Sequence, residues 1–190
     1  SKISLPSVFG TDVREVYLDG EAYFEVAKNP NKPFIIYTRG TVVEVLGTSF
    51  SIRSFPEDDV VRTVVAEGIV SFRGDNESSD NGVILTAGKL GAFNITKKSI
   101  GTEDVQNLDA YLGWKNGYLA FQDDKMDKVK LALERKYDIE VKFDTSEIEE
   151  LKLTAEFKSR MLKNVLETIS MSLDLEYKFD QDVVIFSKEH

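Results

Sequence analysis

Residues 21–26, Glu21-Ala22-Tyr23-Phe24-Glu25-Val26, put Ala22, Phe24 and Val26 on one side of an extended chain and Glu21, Tyr23 and Glu25 on the other. A period of two is the mark of a strand with one buried face. The same kind of run recurs on both sides of it: Glu15–Leu18, Phe34–Thr38, Val42–Leu46, Phe50–Phe55, Val60–Ala66, Ile69–Arg73, Val83–Thr86 and Leu90–Asn94. Gly47, Gly68, Gly74 and Gly88 close these runs as turns, and Arg73–Gly82 reads as an exposed hairpin loop. Nothing in this half has the 3.6-residue period of a helix, which predicts an all-β roll, solenoid or sandwich.

All four prolines and ten of the twelve glycines precede residue 102, and neither type follows Gly117. The second half should therefore use longer elements. Met126, Val129, Leu133 and Tyr137 form one helical stripe, with Asp123 or Asp124 as its cap. A second stripe, Leu162, Val165, Leu166, Ile169 and Leu173, follows a possible cap at Ser159. Tyr118–Phe121, Ile139–Phe143, Leu151–Phe157, Leu175–Phe179 and Val183–Phe186 read as strands. The expected fold class is thus two domains: an all-β domain over 1–104, then an α+β domain over 105–190 of order β-α-β-β-α-β-β. Its two helices would lie on one face of a small sheet. The polar stretch Lys97–Asp109 reads as the linker.

Composition removes much chemistry. The chain of 190 residues has 24 Lys plus Arg against 33 Asp plus Glu, a net charge of −9. That balance opposes nucleic-acid binding, which requires a basic surplus to displace counterions. It also opposes docking on anionic lipid. With no Cys there is no thiol nucleophile, disulfide or zinc–thiolate site, and the one His, His190, ends the chain. No apolar run is long enough to span a membrane. Ser1–Pro6 reads as β/turn sequence already under way, as expected of a piece of a longer protein or of a chain whose leader is missing.

The catalytic candidates fail one by one. Glu21 and Glu25 share a strand face but stand roughly 13 Å apart, beyond the spacing of about 5–9.5 Å that glycoside hydrolysis uses. Glu57-Asp58-Asp59 clusters oxygens but lacks the spacing of a calcium loop, and reads as an acidic turn. No glycine-rich phosphate loop occurs. Trp114 and Tyr118, beside Lys115, could stack on a sugar or base, or could plug the junction between domains. No cofactor, metal or catalytic residue is expected, and the chain is not expected to be an enzyme. What remains is interaction: the edges of the small second-half sheet could accept a partner's strand, or the first domain could simply cover that sheet.

Gly20-Glu21-Ala22-Tyr23-Phe24-Glu25-Val26-Ala27, Lys32-Pro33-Phe34, Val45-Leu46-Gly47-Thr48-Ser49-Phe50 and Glu67-Gly68, in that order, resemble the periplasmic region of FecR-type sigma-factor regulators. Trp114-Lys115-Asn116-Gly117, Leu119-Ala120-Phe121 and Leu133-Glu134-Arg135-Lys136-Tyr137 resemble the C-terminal extension of Bacteroidetes members. That extension is similar to the short N-terminal domain of secretins and TonB-dependent transducers. One departure is Arg62-Thr63-Val64-Val65-Ala66 before Glu67-Gly68, where a Leu-Val pair is commoner.

The resemblance implies a non-enzymatic periplasmic receiver, anchored in the inner membrane through a helix outside this sequence. Its partner would be the signalling domain of an outer-membrane TonB-dependent transducer. A cytoplasmic sigma factor would be engaged only through a segment also outside it. Other possible roles are a secretin-like assembly module and a carbohydrate-binding β-protein with Trp114 or Tyr23 as platform.

The docking surface is expected on the terminal hairpin, at Leu175, Glu176, Tyr177, Lys178, Phe179, Val183 and Ile185, with the last strand at a sheet edge. The motif residues Gly20, Glu21, Phe24, Pro33, Phe34, Leu46, Gly47, Thr48, Phe50, Glu67, Gly68, Trp114, Gly117 and Phe121 are given structural roles, with Gly20 permitting a turn.

Overall fold

The computed structural model describes residues 1–8, 10–78, 81–158 and 161–188. The chain divides into two compact units, Ser1–Leu112 and Gly113–His190.

The first unit is built on β2 (Arg14–Glu25), twelve residues long, with β1 (Lys2–Ser4) paired antiparallel to its middle. The following strands are β3 (Phe34–Thr38), β4 (Thr41–Val45), β5 (Ser49–Ser54), β6 (Val60–Glu67), β7 (Ile69–Gly74), β8 (Val83–Thr86), β9 (Lys89–Asn94) and β10 (Ser99–Asp104). Nine strands lie in the order β10-β9-β6-β5-β2-β3-β4-β7-β8, with β1 off that path. β2 links the two halves because its first residues pair parallel with β3 and its last antiparallel with β5. Gly20, expected in a turn, sits instead inside β2 at that change of partner, at φ +107°. A Cβ there would lie 2.6 Å from the Ser1 hydroxyl oxygen, and L-residues avoid that φ. Alternation fills the interior: Val16, Leu18, Ala22, Ile36, Val43, Phe50, Ile52, Val65, Phe72 and Phe93 form one core. Ser99–Asp104, read from the sequence as linker, is a strand, and helix α1 (Leu108–Leu112) follows it.

The second unit runs through a 3-10 turn (Gly113–Asn116), β11 (Leu119–Lys125), α2 (Met126–Tyr137), β12 (Glu140–Phe143), a 3-10 turn (Ser146–Glu150), β13 (Lys152–Phe157), α3 (Leu162–Leu173), β14 (Leu175–Asp180) and β15 (Val183–Lys188). Met126, Val129 and Leu133 of α2 and Val165, Leu166 and Ile169 of α3 are fully buried. Burying each such side chain contributes about 1.5–3 kcal/mol. Among the described residues neither helix has a side-chain cap; the N-cap positions are Lys125 and Met161. The carboxylates expected to cap α2 lie in a bulge of β11, where Asp123 N–H bonds to Thr154 Oγ1 and Asp124 accepts from Gln122 N–H. Ser159 and His190 lie outside the described residues.

The expected fold class, an all-β domain followed by an α+β domain with two helices over one small sheet, is overturned. Strand accounts for 49% of the described residues, the first unit is a nearly closed, barrel-like sheet, and only three short helices occur among those residues. The second unit's strands do not form one sheet. β11 pairs with β13, while β12, β15 and β14 form a separate three-stranded sheet. α2 packs on β11 and β12, and α3 on β13 and β14, so each helix touches a strand from both sheets. An alternating stripe tells which face of a strand is buried but not which strand lies beside it. The expectation of one sheet failed at that point.

Candidate functional site

Two regions gather the residues singled out by sequence: a corner of the first unit and the three-stranded sheet of the second.

In the corner, Val26 N–H bonds to Thr48 O at 3.0 Å and Asn29 N–H to Leu46 O at 2.7 Å. Gly47 packs against the main chain of Lys28, where a Cβ would come within 2.5 Å of Lys28 Cα. Phe24 stacks on Phe50 with ring centres 5.4 Å apart and lies 6.0 Å from Phe34. Ser49 is the pairing partner of Glu67. Gly68, at φ +90°, leaves 2.9 Å between a hypothetical Cβ and Gly47 O. Thr48 Oγ1 donates to Ile69 O at 2.7 Å and accepts from Ile69 N–H at 3.3 Å.

Arg14, which no sequence signal pointed to, ties these pieces together. Its Nε donates to Lys32 O and one terminal nitrogen to Ala27 O, while the guanidinium lies 5.5 Å from the Phe34 ring centre. Pro33 O accepts the Arg14 main-chain N–H at 2.9 Å. The corner presents backbone bonds and packed rings.

Of the acidic candidates, Glu21 and Asp58 are engaged in ion pairs. Glu21 faces Arg53 at 3.8 Å, and Asp58 holds the same guanidinium at 2.8 Å. Arg39 in turn donates to the carbonyls of Phe55, Pro56 and Asp58, so the loop carrying Glu57 is held from two sides. In the second unit Phe121 is buried and meets Phe157 edge-on at 6.1 Å. Gly117 N–H bonds to Trp114 O, and Tyr118 N–H to Gly113 O.

The docking candidates of the terminal hairpin split between two faces. Leu175, Tyr177 and Phe179 share a face of β14, but burial declines along it: Leu175 is buried, Tyr177 half-buried and 6.3 Å from the Phe186 ring, and Phe179 is 53% exposed. Glu176 and Lys178 lie on the other face, where Lys178 pairs with Ile185 and Asp180 with Val183. Val183 and Ile185, half-buried, share that outer face with Glu140 and Lys142 of β12, which form an ion pair at 3.1 Å. Val184 and Phe186, between them in sequence, are the fully buried members of β15.

The last strand is not at an edge. β15 lies between β12 and β14, and the edge next to the candidate residues is β14. The parallel pairing of β12 with β15 joins residues more than forty positions apart, a long-range contact no local pattern encodes.

A FecR protein model matches residues 1–71 and a FecR C-terminal model residues 118–186. Two crystal structures of a candidate anti-sigma factor from Parabacteroides distasonis are similar to the chain, at 26% identity and TM-scores of 0.84 and 0.85. In each case the match covers 99% of this chain and 86% of the other. No curated protein matches it. Among the described residues no helix is long and apolar enough to cross a membrane. Both units therefore carry the signature of one regulator of transcription in cell-surface signalling, and the chain belongs to the FecR family of anti-sigma factors.

Proposed function

We propose that this chain is the periplasmic, signal-receiving region of an inner-membrane-anchored anti-sigma factor. In this reading it binds the signalling domain of an outer-membrane TonB-dependent transducer and passes the transducer's state to a cytoplasmic sigma factor. The observation that supports the reading is β14: an edge strand whose apolar stripe leaves the core and ends in an exposed phenylalanine. An open edge offers unpaired main-chain donors and acceptors to an incoming strand. Phe179 would anchor that strand, and Glu176 and Lys178 would select it by charge. Binding transmits information only if the partner favours one state of the receiver over another, so no bond-making residue is required.

Val183 and Ile185 lie in the central strand, where proline would break a ladder and the fold together. The test therefore moves to the edge. Titration of this chain with the signalling domain of the transducer encoded beside it should show saturable binding by calorimetry. Phe179→Asp should weaken that binding about tenfold or more with an unchanged circular dichroism spectrum. Absence of binding, or equal binding by a folded Phe179→Asp variant, would refute the proposal.

A further inference from the structure

We propose that the cleft between the 3-10 turn at Gly113–Asn116 and the last turn of α2 is a carboxylate-binding site. It has a volume of about 470 Å³ and is lined by Trp114, Lys115, Asn116, Gly117, Lys136 and Tyr137. The inference stands apart from the β14 edge and does not depend on it.

Three observations carry it. The first is hydrogen bonding. Trp114 Nε1 and the Tyr137 hydroxyl are both buried and have no partner among the described residues. An indole N–H can only donate. Burial raises the Tyr137 pKa above its ordinary value, so the phenol keeps its proton and is a donor too. Leaving a buried polar group unpaired is unfavourable, and two such residues line one cleft.

The second observation is charge. In a chain of net charge −9 the lining has two ammonium groups and no carboxylate. The end of α2 would by itself repel an anion, since its last carbonyls carry partial negative charge. Arg135 and Lys136 in the last turn offset this, and Asp138 N–H covers the Glu134 carbonyl.

The third observation is position. Lys136 Nζ donates to Gly117 O and lies 5.1 Å from the centre of the Tyr137 ring. One contact thus joins the Trp114–Gly117 and Leu133–Tyr137 motifs, nineteen residues apart, around the same opening. A ligand suited to this lining accepts hydrogen bonds, is negatively charged and has apolar surface to lay on the rings. A carboxylate fits, whether borne by a peptide or free.

Trp114 is the chain's one tryptophan, so its emission reports on this cleft. The whole chain is titrated with acetyl-Phe-Glu-Phe-amide, with the Gln analogue of that peptide, with glutarate and with inorganic phosphate. The expected result is a saturable emission change with the Glu peptide and binding about tenfold weaker for the Gln peptide. Lys136→Met and Tyr137→Phe should each weaken the Glu peptide by about the same factor. Glutarate binding as tightly as the peptide would support the site with a free carboxylate as its ligand; weaker glutarate would support it with a peptide-borne one. Equal affinity for the Glu and Gln peptides, tighter binding of phosphate, or no saturable change would overturn the assignment. So would unchanged affinity in the variants. If Lys136→Met fails to fold, Tyr137→Phe, which removes one oxygen and keeps the ring, decides the question.

Discussion

Thr48→Val tests the corner where the sequence motifs meet. The ladder between β4 and β7 ends at Glu44↔Ser71. Beyond it, the Thr48 side chain takes the place of a neighbouring strand for Ile69, donating to its carbonyl and accepting from its N–H. Valine keeps the shape and removes both bonds. Thr48 is 4% exposed, so water has little access to the atoms left behind. Each net hydrogen bond is worth about 0.5–1.5 kcal/mol, and an unsatisfied buried group costs about 1–3 kcal/mol. The exposed side chain of Ile69 lets its main chain recover part of that, and the expected loss is about 2 kcal/mol. For a chain of this size that lowers Tm by roughly 4–8 °C.

Differential scanning calorimetry reads the loss, and amide exchange at Ile69 locates it. Thr48→Ser, which retains the hydroxyl and loses one methyl, should cost about 1 kcal/mol and leave Ile69 protected. If Thr48→Val melts with wild type, or if Thr48→Ser exposes Ile69 as much as Thr48→Val does, the hydroxyl does not hold β7 and the reasoning fails. Folded Thr48→Val protein should still bind the transducer domain if the motif serves the scaffold.

Gly47→Ala would place a methyl group 2.5 Å from Lys28 Cα. Main chain must move to admit it, so a loss of about 1–3 kcal/mol or more is expected in chemical denaturation, with faster exchange at Val26 and Asn29. Glu147 in the second unit has its pKa held below the ordinary carboxylate value by a hydrogen bond from Lys188 and by that ammonium's charge. A depressed folded-state pKa gives stability that is present above the unfolded value and is lost as pH falls through the folded one. Glu147→Gln should therefore melt slightly below wild type at about pH 7 and together with it at about pH 2. The gap at neutral pH should shrink in about 1 M salt, where the screening length is about 3 Å. Thermal melts across pH check both, and a gap that persists at low pH would contradict the ion-pair account.

Period-two alternation in Glu21–Val26 and its counterparts was enough to point to β2 through β9 of the first unit, because the solvent contrast between faces is written residue by residue. The stripes of α2 and α3 were legible for the same reason. Polar Ser99–Asp104 was not. Five of its six residues are exposed, so it is a strand by virtue of pairing with β9 and carries almost no apolar pattern of its own. Gly20 was read as a turn because glycine most often serves turns; its positive φ here lies inside a strand that changes partner. The capping carboxylates failed likewise: both lie in the β11–β13 bulge, where Asp123 N–H bonds to Thr154, thirty-one residues away, and Asp124 accepts from Gln122 N–H.

By itself the sequence determined the faces: which side chains of most strands and both longer helices turn from water, that the chain has no Cys and one His, and which family its motifs resemble. The tertiary structure alone decided adjacency. It put β12 beside β15, divided the second unit's strands between two sheets, moved the open edge from the last strand to β14, and brought Trp114 and Tyr137 to one cleft. The physical reason is that burial is a local preference, expressed every two residues in a strand and every three to four in a helix. Pairing depends on which distant segments best fill a shared core and satisfy each other's main chain, and no single segment carries that information.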